Sequence, residues 1–439
     1  TGKTTTLVKA IQHVIHTEKQ VLVAAPSNTA VDLLSLKLFQ KGVRVTRIGH
    51  PARVNEDLQH LTLDAQIAKH PDYKRMVQTR KEALQLKLEA RKFKRNFGKE
   101  EREERKHLEG QSRMLLEYAR QLEIYILNSV LDNAEAITVT LVGAAQQVLR
   151  DRMFETVFID EAAQALEPAT WIPILKAKRV IFAGDHCQLP PTVKSTEAIK
   201  KGLNLSLFEK CIKRTKAHTM LETQYRMNEK IMQFSSEVFY QTNLTAHPSV
   251  AQHALTPLAD SAYPELSKPF EFIDTAGCGF EEVQNPQTMS LSNPQEAALL
   301  LKYLSQIMEA LEFEQPDSAG EVSIGIISPY KEQVRHIATE IQHYETLVKY
   351  LPNISIDTVD GFQGQERDII AMSMVRSNDR GEIGFLSDVR RTNVAMTRAR
   401  KKLIMTADSA TLAVHPFYKK LLDYIDQIDA YRSAWELLY

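Results

Sequence analysis

Apolar and polar residues alternate between two spacings over the first 46 residues. TTLVKAIQHVIHT and NTAVDLLSLKLFQKG carry apolar residues at helical intervals, and Gly42 ends the second helix. QVLVAAP and VRVTRIG are short apolar runs typical of buried strands. Helices that alternate with buried strands indicate a parallel β-sheet.

This alternation stops before a long helical region. No proline occurs from Tyr73 to Val130, leucines recur at roughly helical spacing, and RNFGKE supplies a break at Gly98. We predict two antiparallel helices, about 71–96 and 99–130, that form an arm. Between Lys74 and Lys106, 13 Lys or Arg residues face 6 Asp or Glu residues. This excess suits either a solvated helical hairpin or an arm that contacts nucleic acid.

The helix–strand alternation then resumes twice. AITVTLVGAA, ETVFIDEAA and AKRVIFAGD form one stretch, and from about Leu221 KPFEFID, VSIGIISP, ISIDTVDGFQG, RDIIAMSMV and KKLIMTAD form another. We therefore predict an α/β protein with two tandem units, 1–219 with the arm inserted at about 71–130, and 220–439. Segments 284–294 and 314–320 are rich in Pro, Ser and Gln and are predicted to be surface loops.

Composition narrows the class of protein without naming it. The net charge is zero, so no global signal for nucleic acid exists, although a local basic groove remains possible. Cys187, Cys211 and Cys278 form no C-x-x-C pair, which suits a reducing, cytoplasmic compartment and argues against a disulfide or zinc framework. No apolar run approaches the roughly 20 residues that span a bilayer, so no membrane partner is expected.

The opening TGKTTT matches the end of a phosphate-binding loop, G-x-x-x-x-G-K-[ST]. There is no initiating Met, and we expect the chain to be a piece of a longer protein, cut just upstream of Thr1. Lys3 would reach the β- and γ-phosphates of a nucleotide, the Thr4 hydroxyl would ligate Mg²⁺, and amides at the helix start would cradle the phosphates. Because G-K-T also occurs by chance, this motif does not decide the function alone.

VFIDEAAQ places two carboxylates after a buried strand, where an open parallel sheet binds ligands. Asp160 is suited to hold Mg²⁺ through water, and Glu161 to orient or deprotonate the attacking water. The pair could instead only cap the next helix, but the preceding G-K-T favours catalysis. Gln188, in FAGDHCQLPP, can hydrogen-bond a γ-phosphate or the adjacent water.

Three arginines in the second stretch suit the same chemistry. Arg226 lies in LETQYRMNE, and Arg398 and Arg400 lie in NVAMTRARKKL. A guanidinium on the transferring phosphate strongly favours hydrolysis, whereas a single surface arginine is more often only solvated. The two arginine segments together with DGFQGQE favour a phosphoryl-transfer role.

These segments stand in one order along nearly the whole chain: GKTTT, VAAPSNTAVD, DEAAQALEP, GDHCQLPP, ETQYRM, SPYKEQV, TVDGFQGQERD and NVAMTRAR. The set resembles the ordered motifs of superfamily 1 helicases, in the group that contains the nonsense-mediated-decay helicase, the immunoglobulin mu-binding helicase and their bacterial relatives. The resemblance implies two RecA-like lobes with ATP in the cleft between them. It also implies a small upstream β-barrel domain and the first glycines of the phosphate loop, without which we expect weak nucleotide binding.

The resemblance also assigns roles to individual residues. Asp160, Glu161, Gln188, Arg226 and Arg398 would be the catalytic groups, with Thr4 and Asp160 at the metal. The ATP-binding set would be Gly2, Lys3, Thr4, Thr5, Tyr225 stacked on the base, Gly364, and Glu366 at the ribose. The single-strand groove would be lined by Pro26, Ser27, Asn28, Thr140, Pro190, Ser328 and Thr358.

The resulting hypothesis is a monomeric helicase or translocase that moves 5′ to 3′ on single-stranded DNA or RNA with Mg²⁺ and ATP. One alternative is an ATP-driven remodeller that strips proteins from nucleic acid without unwinding it. Another is a clamp that binds nucleic acid without hydrolysis, which the catalytic residues argue against. A small-molecule P-loop kinase is disfavoured by the arginine segments and the second α/β unit.

Overall fold

The computed structural model describes residues 2–92, 98–256, 263–362 and 364–438. They divide into two compact units. We call Lys3–Asp185 with Pro190–Thr215 the N-terminal unit, and His186–Leu189 with the chain from Lys216 onward the C-terminal unit. Residues 186–189 belong to the second because Leu189 packs in its core and the Asn393 side chain donates to the Cys187 carbonyl at 2.9 Å.

The N-terminal unit is built on a five-stranded parallel sheet of order β2-β3-β1-β4-β5. Its strands are β1 (Val21–Ala25), β2 (Val45–Ile48), β3 (Ala136–Thr140), β4 (Phe154–Ile159) and β5 (Ala177–Phe182). Its helices are α1 (Lys3–Glu18), α2 (Asn28–Gln40), α3 (Leu63–Lys69), α4 (Tyr73–Ala90), α5 (Lys99–Asn133), α6 (Glu167–Ile174), α7 (Thr196–Lys200) and α8 (Leu207–Arg214).

The C-terminal unit is built on a six-stranded parallel sheet of order β12-β11-β13-β14-β8-β15. The strands of this unit are β6 (Thr223–Gln224), β7 (Thr245–Ala246), β8 (Phe270–Asp274), β9 (Val283–Gln284), β10 (Leu291–Ser292), β11 (Ile324–Ser328), β12 (Ile354–Thr358), β13 (Arg367–Ser373), β14 (Ala399–Ala407) and β15 (Tyr431–Ser433). Its helices are α9 (Glu229–Phe239), α10 (Pro248–Ala251), α11 (Pro264–Ser267), α12 (Pro294–Glu314), α13 (Pro316–Ala319), α14 (Lys331–Glu340), α15 (Glu345–Lys349), α16 (Val389–Met396), α17 (Ser409–Leu412), α18 (Pro416–Gln427) and α19 (Trp435–Leu438).

Complete burial of several strands shows that both sheets have an internal part. Every residue of β1, β8 and β11 is buried, as expected for strands covered by helices on both faces. In the N-terminal unit, α1 packs Leu7, Val8 and Ile11 into the core that includes Phe158 of β4. The α/β architecture predicted from the sequence is confirmed.

The arm is a helical hairpin of α4 and α5. Small residues allow close packing: Ala83 is fully buried, and the Ser112 hydroxyl donates to its carbonyl at 2.7 Å. Arg80 pairs with Glu123 across the hairpin at 2.8 Å. The two predicted antiparallel helices are confirmed, and the first ends at Ala90. Residues 93–97, which hold the end of the predicted first helix and part of the predicted break, lie outside the described residues.

The prediction of plain loops at 284–294 and 314–320 was wrong in part. The first segment contains the antiparallel β9–β10 hairpin, whose turn is closed because the Asn285 side chain accepts from the Gln287 and Thr288 amides at 2.9 and 3.2 Å. The second contains α13. Pro294 and Pro316 begin α12 and α13, where the missing N–H of proline costs no helical hydrogen bond.

Among the helices in the described parts of the chain, none is both long and apolar enough to cross a membrane.

Candidate nucleotide site and nucleic-acid interface

The carboxyl edge of the N-terminal sheet gathers residues predicted from three different motifs. Ala25 is in register with Thr140, and the Asp160 amide donates to the Ala24 carbonyl at 2.9 Å. Pro26, Thr140 and Asp160 therefore lie side by side where β1, β3 and β4 end. This is the edge at which open α/β sheets bind ligands.

Asp160 is a buried acid with an unusual proton affinity. Its exposed fraction is 3%, and burial together with the neighbouring Glu161 charge raises its pKa to about 6. The Glu161 amide donates to its Oδ1 at 2.9 Å, and that bond with the charges of Lys3 and Lys37 opposes the rise. A cation close to this carboxylate would favour its charged form.

Glu161 has a left-handed backbone conformation, with φ 50° and ψ 37°. This conformation is uncommon for a residue other than glycine and costs energy, which is typical of functional positions. Its Oε2 accepts from the Gln164 side-chain Nε2 at 2.7 Å, so the carboxylate is held by a neighbour three residues on. The conformation turns the chain sharply directly after β4.

Lys3 begins α1, and Gly2 before it has a positive φ of 81°. The charge of Lys3 lowers the pKa of Asp160, so the two groups are close enough to interact. Thr4 and Thr5 follow in the first turn of α1, where backbone amides are free of intrahelical partners. An anion is favoured at such a helix start.

The Pro26–Asn28 segment is built around a buried charge that sequence reasoning missed. Ser27 caps α2 by accepting from the Ala30 amide at 3.1 Å. Asn28 accepts from Arg47 at 3.0 Å, and the fully buried Arg47 also pairs with Asp32 at 2.9 Å. A lone arginine in an apolar strand gave no signal of this network.

In the C-terminal unit, Arg226 is fixed on two sides. Its Nε donates to Glu366 at 2.5 Å, and its Nη1 donates to the Thr397 carbonyl at 2.9 Å. Two residues predicted from separate motifs, Arg226 and Glu366, are thus in direct contact. Glu366 is exposed, so its carboxylate remains accessible to solvent.

Arg398, next to Thr397, is buried to 3% exposure. Its Nε donates to the Val394 carbonyl at 2.9 Å, and its Nη2 donates to Gln188 Oε1 at 3.3 Å. Gln188 and Arg398, again predicted from separate motifs, therefore meet. The hydrogen bond to the Val394 carbonyl fixes the guanidinium, which in turn donates a hydrogen bond to the Gln188 side chain.

Tyr225 is 58% exposed and stacks on His247, with ring centroids 4.4 Å apart and 28° between the planes. No sequence motif indicated His247. Gly364, with a positive φ of 80°, lies in the turn before Glu366. Tyr225 and Glu366 are therefore exposed on either side of the half-buried Arg226, whose partner Thr397 precedes Arg398.

Ser328 and Thr358 are in register where β11 and β12 end. Ser328 is fully buried, and its hydroxyl accepts from the Tyr330 amide at 3.4 Å. Thr358 is half-buried, and its hydroxyl accepts from the Gly361 amide at 3.4 Å. Of this pair, only Thr358 has surface to offer a ligand.

The donors in the N-terminal unit suit a divalent cation. Asp160 and Thr4 supply a carboxylate and a hydroxyl, the oxygen ligands that hard cations prefer. A cation would also offset the burial that raises the pKa of Asp160.

Comparison with known proteins identifies the family. Two family models, both described as an AAA domain, match residues 1–196 and 203–410. The chain is 37% identical over 445 residues to the DNA-binding protein SMUBP-2 of Mesocricetus auratus, covering 100% of this chain and 43% of that protein. It is 34% identical over 427 residues to a regulator of nonsense transcripts 1 homolog of Neurospora crassa, covering 96% and 36%.

A third relative is matched over most of its length. This uncharacterized ATP-dependent helicase of Methanocaldococcus jannaschii is 31% identical over 469 residues, covering 98% of this chain and 67% of that protein. The chain spans less than half the length of the first two relatives. With the ordered motifs and the two parallel sheets, these matches establish that the chain belongs to the superfamily 1 helicases of the group that contains the regulators of nonsense transcripts and SMUBP-2.

Proposed function

We propose that this protein is an ATP-dependent helicase or translocase that moves 5′ to 3′ along single-stranded DNA or RNA. The observation that carries the proposal is the group at the end of β4. There Asp160 is buried beside Glu161 and close enough to Lys3 for its charge to lower the Asp160 pKa. A lysine at a helix start with a nearby carboxylate pair supplies groups that phosphoryl transfer uses.

Each of these residues has a distinct task in the proposed reaction. Lys3 and the first amides of α1 hold the phosphates, and Glu161 orients the attacking water and accepts its proton. Asp160 and Thr4 would hold Mg²⁺, which neutralises charge on the phosphates when bound. Gly2 and Thr5 complete the phosphate-binding turn.

The C-terminal unit would supply the remaining groups. Arg226 and Arg398 stabilise the charge that develops on the transferring phosphate, and Gln188 responds to the γ-phosphate. Tyr225 offers an exposed ring to the nucleotide base, and Glu366, beside Gly364, offers a carboxylate to the ribose. The contacts Arg226–Glu366 and Arg398–Gln188 support this assignment. The first joins a residue proposed to bind phosphate to the residue proposed to bind ribose, and the second joins two residues proposed to act at the phosphate.

Residues at strand ends would carry the nucleic acid. Pro26, Ser27, Asn28, Thr140 and Pro190 in the N-terminal unit, and Thr358 beside Ser328 in the C-terminal unit, suit backbone contacts that do not read sequence. The name of one relative refers to DNA and that of another to transcripts, so both polymers belong in the test. We further propose a monomer in the cytoplasm, where Cys187, Cys211 and Cys278, which are not paired in disulfides, would stay reduced.

The first test is ATP hydrolysis by the full chain with no polymer, with single-stranded DNA and with single-stranded RNA. We expect stimulation by at least one polymer. Glu161→Gln should lower the stimulated rate about a hundredfold or more, because the general base is lost while nucleotide contacts stay. Glu155→Gln, at the exposed start of the same strand, is the matched control and should keep the rate.

Duplexes with a single-stranded tail at either end would then test unwinding and its direction. Unwinding of the 5′-tailed duplex alone agrees with the proposal. Hydrolysis without unwinding would replace the helicase by a remodeller, and absence of hydrolysis in every condition would exclude both.

A further inference from the structure

One exposed aromatic ring at the carboxyl edge of the C-terminal sheet has no part in the proposal above. Phe385 lies in the segment between β13 and α16, within the 3₁₀ turn Gly384–Ser387, and is 58% exposed. Exposed aromatic residues occur on many surfaces, so exposure alone indicates nothing. The residues around Phe385 distinguish it from exposed aromatic residues that have no binding role.

The backbone that carries Phe385 is held in place. The Phe385 amide donates to the Tyr330 hydroxyl at 3.4 Å, and the carbonyl of buried Leu386 accepts from the Tyr418 hydroxyl at 2.9 Å. Gly384 has φ 52°, and a Cβ there would lie 2.5 Å from Arg376 Nη1 and 2.8 Å from the Tyr330 hydroxyl. The turn therefore presents Phe385 to solvent from a fixed main chain, which lowers the entropy lost on binding.

The Phe385 ring is flanked by groups that favour a flat, electron-rich partner. The Arg391 Cζ lies 5.8 Å from the ring centroid, and the Tyr330 ring is 5.4 Å away at 48°. Arg391 also pairs with Asp388 at 3.7 Å, which fixes the guanidinium near the ring. Aromatic rings and arginine planes are the surfaces on which nucleobases stack.

The ring also lies at the edge assigned above to the single strand. Phe385 contacts Tyr330, whose amide donates to Ser328, and Ser328 is in register with Thr358. Since Ser328 and Tyr330 are buried, they offer a base no surface, whereas Phe385 does. A strand whose phosphates meet Thr358 would have bases within reach of a side chain that extends beyond this edge.

We propose that Phe385, supported by Arg391, stacks on one base of the single-stranded nucleic acid. The inference rests on the proposed function, because it assumes that a single strand binds at this edge. Stacking accepts any base, since every base has a π-face, so the contact would hold the strand without reading its sequence.

Binding of fluorescent single-stranded DNA and RNA to the full chain, measured by anisotropy, tests the contact. Phe385→Ala should weaken the better-bound polymer about 5- to 100-fold, and Phe385→Leu nearly as much, because leucine keeps apolar bulk but not the ring face. Phe385→Trp should retain or improve binding. Phe313→Ala removes a 77% exposed ring from the end of α12 in the same unit and should change nothing.

Oligonucleotides with one abasic position, moved along the bound stretch, identify the partner. At one position the missing base should weaken binding of the unsubstituted protein but not of Phe385→Ala, because the two changes remove the same contact. If Phe385→Ala binds as well as the unsubstituted protein, or if every abasic position weakens both proteins equally, the stacking contact is wrong and the proposed function still stands. If the unsubstituted protein binds neither polymer, the proposed function and this inference both fall.

Discussion

Glu296 carries a carboxyl group completely into the interior of the C-terminal unit. It lies in the first turn of α12, and its Oε1 accepts from the Ser373 hydroxyl at 2.6 Å and from the Val375 amide at 3.0 Å. Burial is the main cause that raises its pKa from 4.5 to about 7, against the lowering effect of these hydrogen bonds. The residue joins α12 to the end of β13, from which the Phe385 segment continues.

A change of this residue should alter how stability depends on pH. Because the folded pKa lies above the unfolded one, the stabilisation of the neutral carboxyl is complete below pH 4.5 and is lost as pH rises through about 7. The loss amounts to about 3 kcal/mol. Glu296→Gln, which stays neutral, should come closest to the unsubstituted protein near pH 4 and be more stable at pH 8, as measured by urea unfolding.

Subtracting one variant's pH profile from the other isolates Glu296, since all other groups titrate in both proteins. A difference that does not grow between pH 5 and pH 8 would mean that the buried carboxyl keeps an ordinary pKa.

Motifs in the sequence indicate candidate site residues, but the contacts between these residues could not be predicted from the sequence. The pairs Arg226–Glu366 and Arg398–Gln188 join positions 140 and 210 residues apart. A local sequence pattern carries no information on contacts between residues so far apart in the chain. The buried charges of Arg47, Glu296 and Lys402 were also missed, because charged side chains are seldom fully buried and no local pattern indicates their distant partners.

At the scale of elements, the arm is a long hairpin whose inner face is narrow. Met76, Ala83, Ser112, Ala119 and Ile126 are buried, while most of the other positions described along α4 and α5 are exposed. Intrinsic helix propensity at the exposed positions therefore contributes a larger share of the stability of this hairpin than it does for a helix buried in a core.

Gly110 is the position where that contribution can be tested. It is exposed in the middle of α5, and a Cβ there would meet no atom within 4 Å. Gly110→Ala should stabilise the helix by about 0.5–1 kcal/mol, because alanine loses less backbone freedom on folding. Hydrogen exchange of the α5 amides should slow accordingly.

Gly143→Ala serves as a control that should lower stability rather than raise it, because the new Cβ would lie 2.8 Å from side-chain atoms of Thr140 and of Val139. Faster hydrogen exchange of the α5 amides in Gly110→Ala would show that a factor other than helix propensity determines the stability of the arm at Gly110.

Element prediction succeeded where periodicity was long or burial complete. The runs VLVAA, FEFID and IGIIS are buried throughout and form strands as predicted. The β9–β10 hairpin escaped because each strand has only two residues and is fixed by the Asn285 turn rather than by an apolar pattern. Such a short pair has no period to detect.

At the scale of the whole molecule, the proposed reaction draws on both units. Lys3 and Glu161, which we propose bind the phosphates and activate the water, belong to the N-terminal unit. The guanidinium groups of Arg226 and Arg398 belong to the C-terminal unit. If this assignment is correct, ATP binding and ATP hydrolysis should separate when a C-terminal arginine is removed.

Arg226→Ala tests this separation. Hydrolysis stimulated by nucleic acid should fall about a thousandfold, because the lost guanidinium stabilises charge that develops only in the transition state. Affinity for a non-hydrolysable ATP analogue should change by less than about fivefold, since ground-state phosphate binding stays with Lys3. Arg335→Ala is the matched control, because this exposed arginine pairs with its neighbour Glu332 on α14, and its removal should leave both quantities unchanged.

The fold should survive the substitution. Glu366, the ionic partner that Arg226 leaves behind, is exposed and can be solvated, so no buried charge is stranded. A hydrolysis rate within tenfold of the unsubstituted protein would place the transition-state charge elsewhere, with Arg398 the next residue to replace. A loss of analogue binding equal to the loss of rate would instead mean that Arg226 holds ATP in the ground state, so that the C-terminal unit takes part in binding as well as in hydrolysis.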